Sequence, residues 1–223
     1  MPYRYEYKYA LPMELLSEFQ CFLKLHPELF REIYHPRDVN SIYLETEEFK
    51  KFNEHVEGTQ HREKYRIRWY GNLTGRVEKP VLEVKVKHNQ MNDKRRYDLQ
   101  PFELTEDQPW SVVEPALQSI ATGQLDREIA LAQRPVTLVR YRRKYYLSCD
   151  RRSRITIDTN LQWYSAGIAG QRLKKEGSPP HAVIELKYDH GDAEHGGRVS
   201  SLIPPRYQRH SKYLSAVRAM YPW

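Results

Sequence analysis

The 223-residue chain is long enough for one large β-rich domain, or two small ones, with a real core, one being expected, and 36 Lys and Arg against 29 Asp and Glu leave it at +7, which points to an anionic partner: nucleic acid, acidic membrane or phosphate compounds. Its 29% of charged residues are interleaved with apolar ones and 12% are aromatic, which excludes a disordered chain. Cys21 and Cys149 have no metal-ligand spacing, which argues against a disulfide scaffold and a zinc site, and no run approaches the ~18 apolar residues of a membrane span, so a reducing cytoplasm is expected.

In chain order, Tyr3 to Tyr9 alternates as a strand, and Pro12 opens an amphipathic helix carrying Leu15, Leu16, Phe19, Phe22 and Leu23 to about Leu25. Val39 to Thr46 reads as a strand and Glu47 to Val56 as a short helix. His61 to Trp69 and Val81 to Lys87 are strands joined through the turn-rich Gly71 to Lys79 as an antiparallel hairpin, with Lys94 to Leu99 following. A helical insertion spans about 105–132, with Trp110, Val113, Ala116, Leu117 and Ile120 on one stripe and Ile129 to Leu131 after Gly123. Strands resume at Pro135 to Ser148 and Ser153 to Thr159. Gly167 to Pro180 reads as a polar, mobile stretch, Ala182 to Asp189 as a late strand broken by Gly191 to Gly197, and Ser211 to Met220 as a terminal helix.

Strict alternation puts Arg62, Lys64, Arg66 and Arg68 on one face of a strand and Tyr65, Ile67 and Trp69 on the other. Such a face is either the solvated side of an ordinary sheet or the lining of an anion site. The pattern recurs: Glu83, Lys85 and Lys87 oppose Leu82, Val84 and Val86; Lys94, Arg96 and Asp98 share a face; Arg154, Thr156 and Asp158 oppose Ile155 and Ile157; Glu185 and Lys187 oppose Ile184 and Leu186. Converging charged faces would line a barrel. Leu82-Glu83-Val84-Lys85 and Ile184-Glu185-Leu186-Lys187 also echo one another, hinting at pseudo-symmetric halves.

Arg4-Tyr-Glu6-Tyr-Lys8-Tyr, Ser41-Ile-Tyr-Leu-Glu-Thr46, Lys64-Tyr-Arg66-Ile-Arg68-Trp-Tyr-Gly71, Leu82-Glu-Val-Lys85, Tyr141-Arg-Arg143, Arg154-Ile-Thr-Ile-Asp158, Ile184-Glu185-Leu-Lys187 and Ser211-Lys212-Tyr213 follow in the order of a known family. From about Tyr3 to Tyr213 the chain resembles the polyphosphate polymerase domain of the vacuolar transporter chaperone (VTC) proteins, of the triphosphate tunnel (CYTH-like) metalloenzymes. The resemblance implies an α+β, mainly antiparallel fold, a closed β-barrel tunnel with flanking helices, in a single domain over 1–223. It implies that Lys8, Arg66, Arg68, Lys85 and Arg143 act on phosphates as catalytic cations, that Lys94, Tyr141, Arg154 and Lys212 complete substrate binding, and that Glu185 binds a divalent metal, Mn²⁺ or Mg²⁺. A hard cation of this kind prefers carboxylate and phosphate oxygens, and Arg forks match phosphate oxygens in pairs.

Bland roles remain for other residues. Glu83 and Lys187 read as a charge-balancing pair, His35, His55, His61, His181 and His190 as surface residues, and Trp69, Tyr65 and Trp163 as packing residues. Two departures from the family stand out: Arg4 replaces the first of the first-strand glutamates, leaving Glu6 and Lys8, and Glu45 stands where the family pattern has Asp. The expected activity is metal-dependent transfer of the γ-phosphoryl of a nucleoside triphosphate to phosphate, pyrophosphate or polyphosphate, by the catalytic domain standing alone, with any membrane partner for polymer export encoded elsewhere. A triphosphatase of the same fold and a non-catalytic polyphosphate-binding module are the alternatives. Nucleic acid is disfavoured as a partner because the aromatic rows oppose the basic faces. Since like charges on one face repel, removing Arg66 or Arg68 should leave stability unchanged or raise it.

Overall fold

The computed structural model describes residues 4–88, 91–107, 110–120, 134–165, 172–204 and 210–221. Tyr3, Gly123 and the Ile129 to Leu131 stretch lie outside them. Eleven strands are present among the described residues: β1 (Arg4–Pro12), β2 (Arg31–Glu45), β3 (His61–Tyr70), β4 (Gly75–Val77), β5 (Val81–His88), β6 (Met91–Asp98), β7 (Phe102–Leu104), β8 (Arg134–Leu147), β9 (Ser153–Ser165), β10 (Lys174–Gly177) and β11 (His181–Asp189). The helices are α1 (Leu16–Leu25), α2 (Lys50–Glu57), α3 (Val113–Gln118), α4 (Ala193–Leu202) and α5 (Lys212–Met220). Pro12 ends β1 instead of opening a helix, and a 3₁₀ turn over Met13–Leu15 leads into α1. Part of the polar stretch before Pro180 is β10, paired with β9.

The architecture is mostly antiparallel sheet with few helices. The main sheet runs β1-β11-β9-β8-β2-β3-β5-β6, with β10 on β9, while β4 and β7 form a separate ribbon. This corrects the expected closed barrel: among the described residues the path is open and its end strands, β1 and β6, do not pair. Alternation along a strand decides which side chains share a face, but closure depends on stagger and tilt between strands, which alternation does not encode.

The chain divides into two compact units. Unit 1 comprises 1–37, 141–161 and 178–211; unit 2 comprises 38–140, 162–177 and 212–223. In unit 2 the apolar row of β3 (Tyr65, Ile67, Trp69) and that of β5 (Leu82, Val84, Val86) build a core with Ile42, Leu44 and Leu138, and the α3 stripe of Val113, Ala116 and Leu117 joins it. In unit 1, Ile155, Ile157, Ile184, Leu186 and Tyr188 pack with Tyr9, Leu11 and the α1 residues Phe19 and Leu23. Both cores follow the period of two that the sequence shows.

The glycine-containing segment after β11 is a helix, because α4 packs tightly on the sheet. A Cβ on Gly196 would overlap the ring of Tyr188, whereas one on Gly197 would meet nothing. Gly196→Ala is therefore expected to cost about 1–3 kcal/mol through overpacking, against the helix propensity that should make Gly197→Ala stabilising by roughly 0.5–1 kcal/mol. Urea unfolding of the two variants checks this, and equal gains in both would refute the packing.

Candidate functional site

Unit 2 gathers its charged row around one carboxylate. Cross-strand register places Arg66 opposite Glu83 and Glu83 opposite Arg96, with Lys64, Lys85 and Lys94 in the next row. Arg66 donates to Glu83 through Nε at 2.8 Å and Nη2 at 2.6 Å, Lys94 Nζ lies 2.5 Å from it, and Arg68 and Arg96 each approach to 3.3 Å. Glu83 is 4% exposed and Arg68 9%, while Arg96 and Lys85 on the same face are exposed. Burial opposes ionisation of Glu83, but Arg66, Arg68 and Lys94 outweigh it and hold the carboxyl well below the usual carboxylate range. Four cations meet this one carboxylate. Glu83 thus balances unit 2 cations.

Lys94 registers the crowding. Burial, and after it Arg66 and Arg68 against the pull of Glu83, push its ammonium down to about 8. As pH rises through that value the amine loses its charge, so an anion held by Lys94 should bind about tenfold or more weakly at pH 9 than at pH 7, the scale of one charge-assisted hydrogen bond. Titration with tripolyphosphate across this range should show the fall in the unaltered chain and a flat profile in Lys94→Arg; identical profiles would separate Lys94 from anion binding.

Unit 1 holds a different cluster. Lys8 lies opposite Glu185, and Glu6 opposite Lys187, between β1 and β11. Lys8 Nζ is 2.6 Å from Glu6 and 3.6 Å from Glu185; Lys187 Nζ is 3.6 Å from Glu6 and 3.2 Å from Glu185. Arg143 grips the fully buried Asp158 with Nε at 2.6 Å and Nη2 at 2.7 Å, lies 3.8 Å from Glu185, and rests over the ring of Tyr141 at 5.2 Å. Burial would raise the Glu185 carboxyl, yet Lys187, Lys8 and Arg143 hold it well below its ordinary value. Three cations meet three carboxylates here, and Glu6 and Glu185 share Lys8 and Lys187 between them. Two converging carboxylates suit a hard divalent cation, so these residues fit the implied metal.

The expected residues therefore fall into two sets. Lys8, Tyr141, Arg143 and Glu185 come together in unit 1, and Arg66, Arg68 and Lys94 in unit 2. Lys85 is exposed on the adjoining row, Arg154 is exposed opposite Lys187, and Lys212 is half-buried at the start of α5. His35 and His61 are exposed; His55 is half-buried, its imidazole pushed down to about 3 by burial and then by Lys64. Sequence reasoning gave no role to Arg96 or Asp158, although both stand on charged faces already recognised. It also left Glu45 without one. That carboxylate is fully buried and accepts from the backbone N–H of Thr46 at 2.8 Å, Phe52 at 2.6 Å and Lys51 at 3.3 Å, and from Tyr213 Oη. It caps the first turn of α2 and ties it to α5, within unit 2.

The family model for the VTC domain matches residues 3–221. The chain belongs to the VTC domain family. Among solved structures, the VTC domain is similar to a candidate adenylate cyclase from Vibrio parahaemolyticus, with 10% identity, 96% of this chain and 98% of that chain covered, and a TM-score of 0.53. It is also similar to the PH1819 protein from Pyrococcus horikoshii OT3, with 15% identity, 97% and 98% covered, and a TM-score of 0.50. At these identities the likeness shows a shared fold. No curated protein matches the sequence. No helix among the described residues of the VTC domain is long and apolar enough to cross a membrane.

Proposed function

We propose that this VTC domain is a metal-dependent polyphosphate polymerase, moving the γ-phosphoryl of a nucleoside triphosphate onto phosphate, pyrophosphate or a growing polyphosphate chain. The observation that carries the reading is the convergence of Arg66, Arg68, Lys94 and Arg96 on the one buried carboxylate of Glu83. A triphosphate carries about four negative charges, and fixed guanidinium forks match its oxygens. Arg66, Arg68 and Lys94 bind phosphoryl oxygens, displacing part of their hold on Glu83, and Lys85 extends the row. Because phosphoryl transfer passes through a loose transition state, cations positioned in advance supply most of the catalysis.

In unit 1, Glu185 and Glu6 would hold Mn²⁺ or Mg²⁺, a hard cation that would supply positive charge to offset that of phosphate. Lys8 and Lys187 neutralise the same carboxylates and can turn towards phosphate when they are released. Arg143, locked by Asp158 and supported by Tyr141, is a rigid cation beside Glu185. Arg154, exposed in unit 1, and Lys212, half-buried in unit 2, would each offer a further contact to phosphate.

The Glu6 and Glu185 pair favours a second reading, hydrolysis, since it restores some of the carboxylate density that the first strand seemed to lack. Incubating the pure protein with ATP and Mn²⁺, with and without pyrophosphate, and resolving products by chain length separates the two. Lengthening polyphosphate supports the polymerase. Free phosphate alone supports the triphosphatase, and unchanged ATP with retained polyphosphate binding supports neither.

A further inference from the structure

We propose that unit 1 carries a second metal site, made by Glu28, Asp150 and His195, for a borderline divalent cation of the zinc type. Donor atoms of the three residues lie within 4.8 Å of one another. His195 is 8% exposed, and its Nε2 is buried without a hydrogen-bond partner. That nitrogen lies 3.3 Å from Asp150 Oδ2 and 3.6 Å from Glu28 Oε2. A tetrahedral ion bound at about 2.0–2.1 Å needs donor atoms about 3.3–3.4 Å apart, and the two separations from His195 Nε2 are near that span. An imidazole donor disfavours Ca²⁺ and Mg²⁺, which take oxygen, and mixed nitrogen and oxygen donors bind Zn²⁺ more strongly than Mn²⁺.

The surroundings hold the donors in place. Asp150 Oδ1 accepts from Ser148 Oγ at 2.6 Å and from the Arg152 backbone N–H at 3.0 Å, leaving Oδ2 for the metal. The Glu28 backbone N–H donates to His26 Nδ1 at 3.1 Å, and the Cys149 N–H donates to the Glu28 carbonyl at 2.9 Å, which joins the turn after α1 to the turn after β8. Arg152 Nε, 3.9 Å from Asp150 Oδ2, is the nearby opposing charge; it is exposed and lies 3.7 Å from Asp192, which can take it when a metal binds.

This site is separate from Glu6 and Glu185. Helix α4, which carries His195, packs through Gly196 on Tyr188, and Tyr9 Oη bonds Ser200 Oγ at 2.7 Å. Tyr9 and Tyr188 alternate with Lys8 and Lys187, so α4 covers the opposite face of β1 and β11. The role is a clamp joining two turns and α4, with the fourth metal position left to water.

The test is zinc binding by the full chain, stripped with chelator, followed by competition with a chromophoric chelator and by thermal unfolding. One equivalent should bind and raise Tm by at least about 3 °C. Asp150→Asn and His195→Gln should each weaken that equivalent at least tenfold and abolish the Tm shift, while Glu185→Gln keeps both. If His195→Gln fails to fold, Asp150→Asn decides alone. Absence of zinc binding would mean that the three residues form only an ion pair, and the proposal fails. It fails equally if Glu185→Gln loses the zinc while Asp150→Asn keeps it.

Discussion

Glu83→Ala should lower the stability of the protein by about 3–5 kcal/mol, the cost of removing one partner from a buried ionic cluster. Its carboxylate meets Arg66, Arg68, Lys94 and Arg96 while almost wholly buried, so alanine would leave four crowded cations without their common counter-charge. The carboxyl is depressed in the folded state, so its contribution is complete above the ordinary carboxylate range and is lost only as pH falls to the depressed folded value. Urea unfolding at neutral pH should show the loss, and tripolyphosphate should restore more stability to Glu83→Ala than it adds to the unaltered chain, since it supplies the missing negative charge. A change within about 1 kcal/mol, insensitive to tripolyphosphate, would show that the cluster is solvated after all. The same geometry reverses the expectation for Arg68→Ala: Arg68 is buried against Glu83, so its removal costs stability instead of relieving repulsion.

Glu185→Gln should reduce metal-dependent turnover at least about 100-fold while leaving tripolyphosphate binding nearly unchanged. Glutamine preserves size, but it removes the charge that, with Glu6, would hold the cation. The charge also anchors Lys8 and Lys187 at 3.6 and 3.2 Å, so a moderate stability loss accompanies the variant. Rates measured against Mn²⁺ concentration separate these effects: loss of the metal site raises the Mn²⁺ requirement, whereas loss of an ion pair alone leaves it in place. An unchanged rate and Mn²⁺ requirement would make Glu185 a counter-charge only and pass the ligand role to Glu6.

The charged and apolar rows of β3, β5, β9 and β11 were legible in the sequence because a strand repeats every two residues, a local property that needs no knowledge of what pairs with what. The basic surplus and the ordered motifs likewise pointed to phosphate and to the VTC family. The sequence could not distinguish Glu83 from Glu185, since both sit in the same Glu-x-Lys pattern. Register did so, placing Glu83 between Arg66 and Arg96 but setting Glu185 beside Lys8, with Glu6 nearby. Glu45 looked like a small departure from the family and proved to be the cap of α2, because its partners in α2 and α5 are remote in sequence. Glu28, Asp150 and His195 show no ligand spacing at all and meet only when α4 folds back on β11. The expected barrel failed for a related reason: alternation is written within each strand, whereas closure is decided by pairing between the first and last strands, and here β1 and β6 remain apart in the strand order.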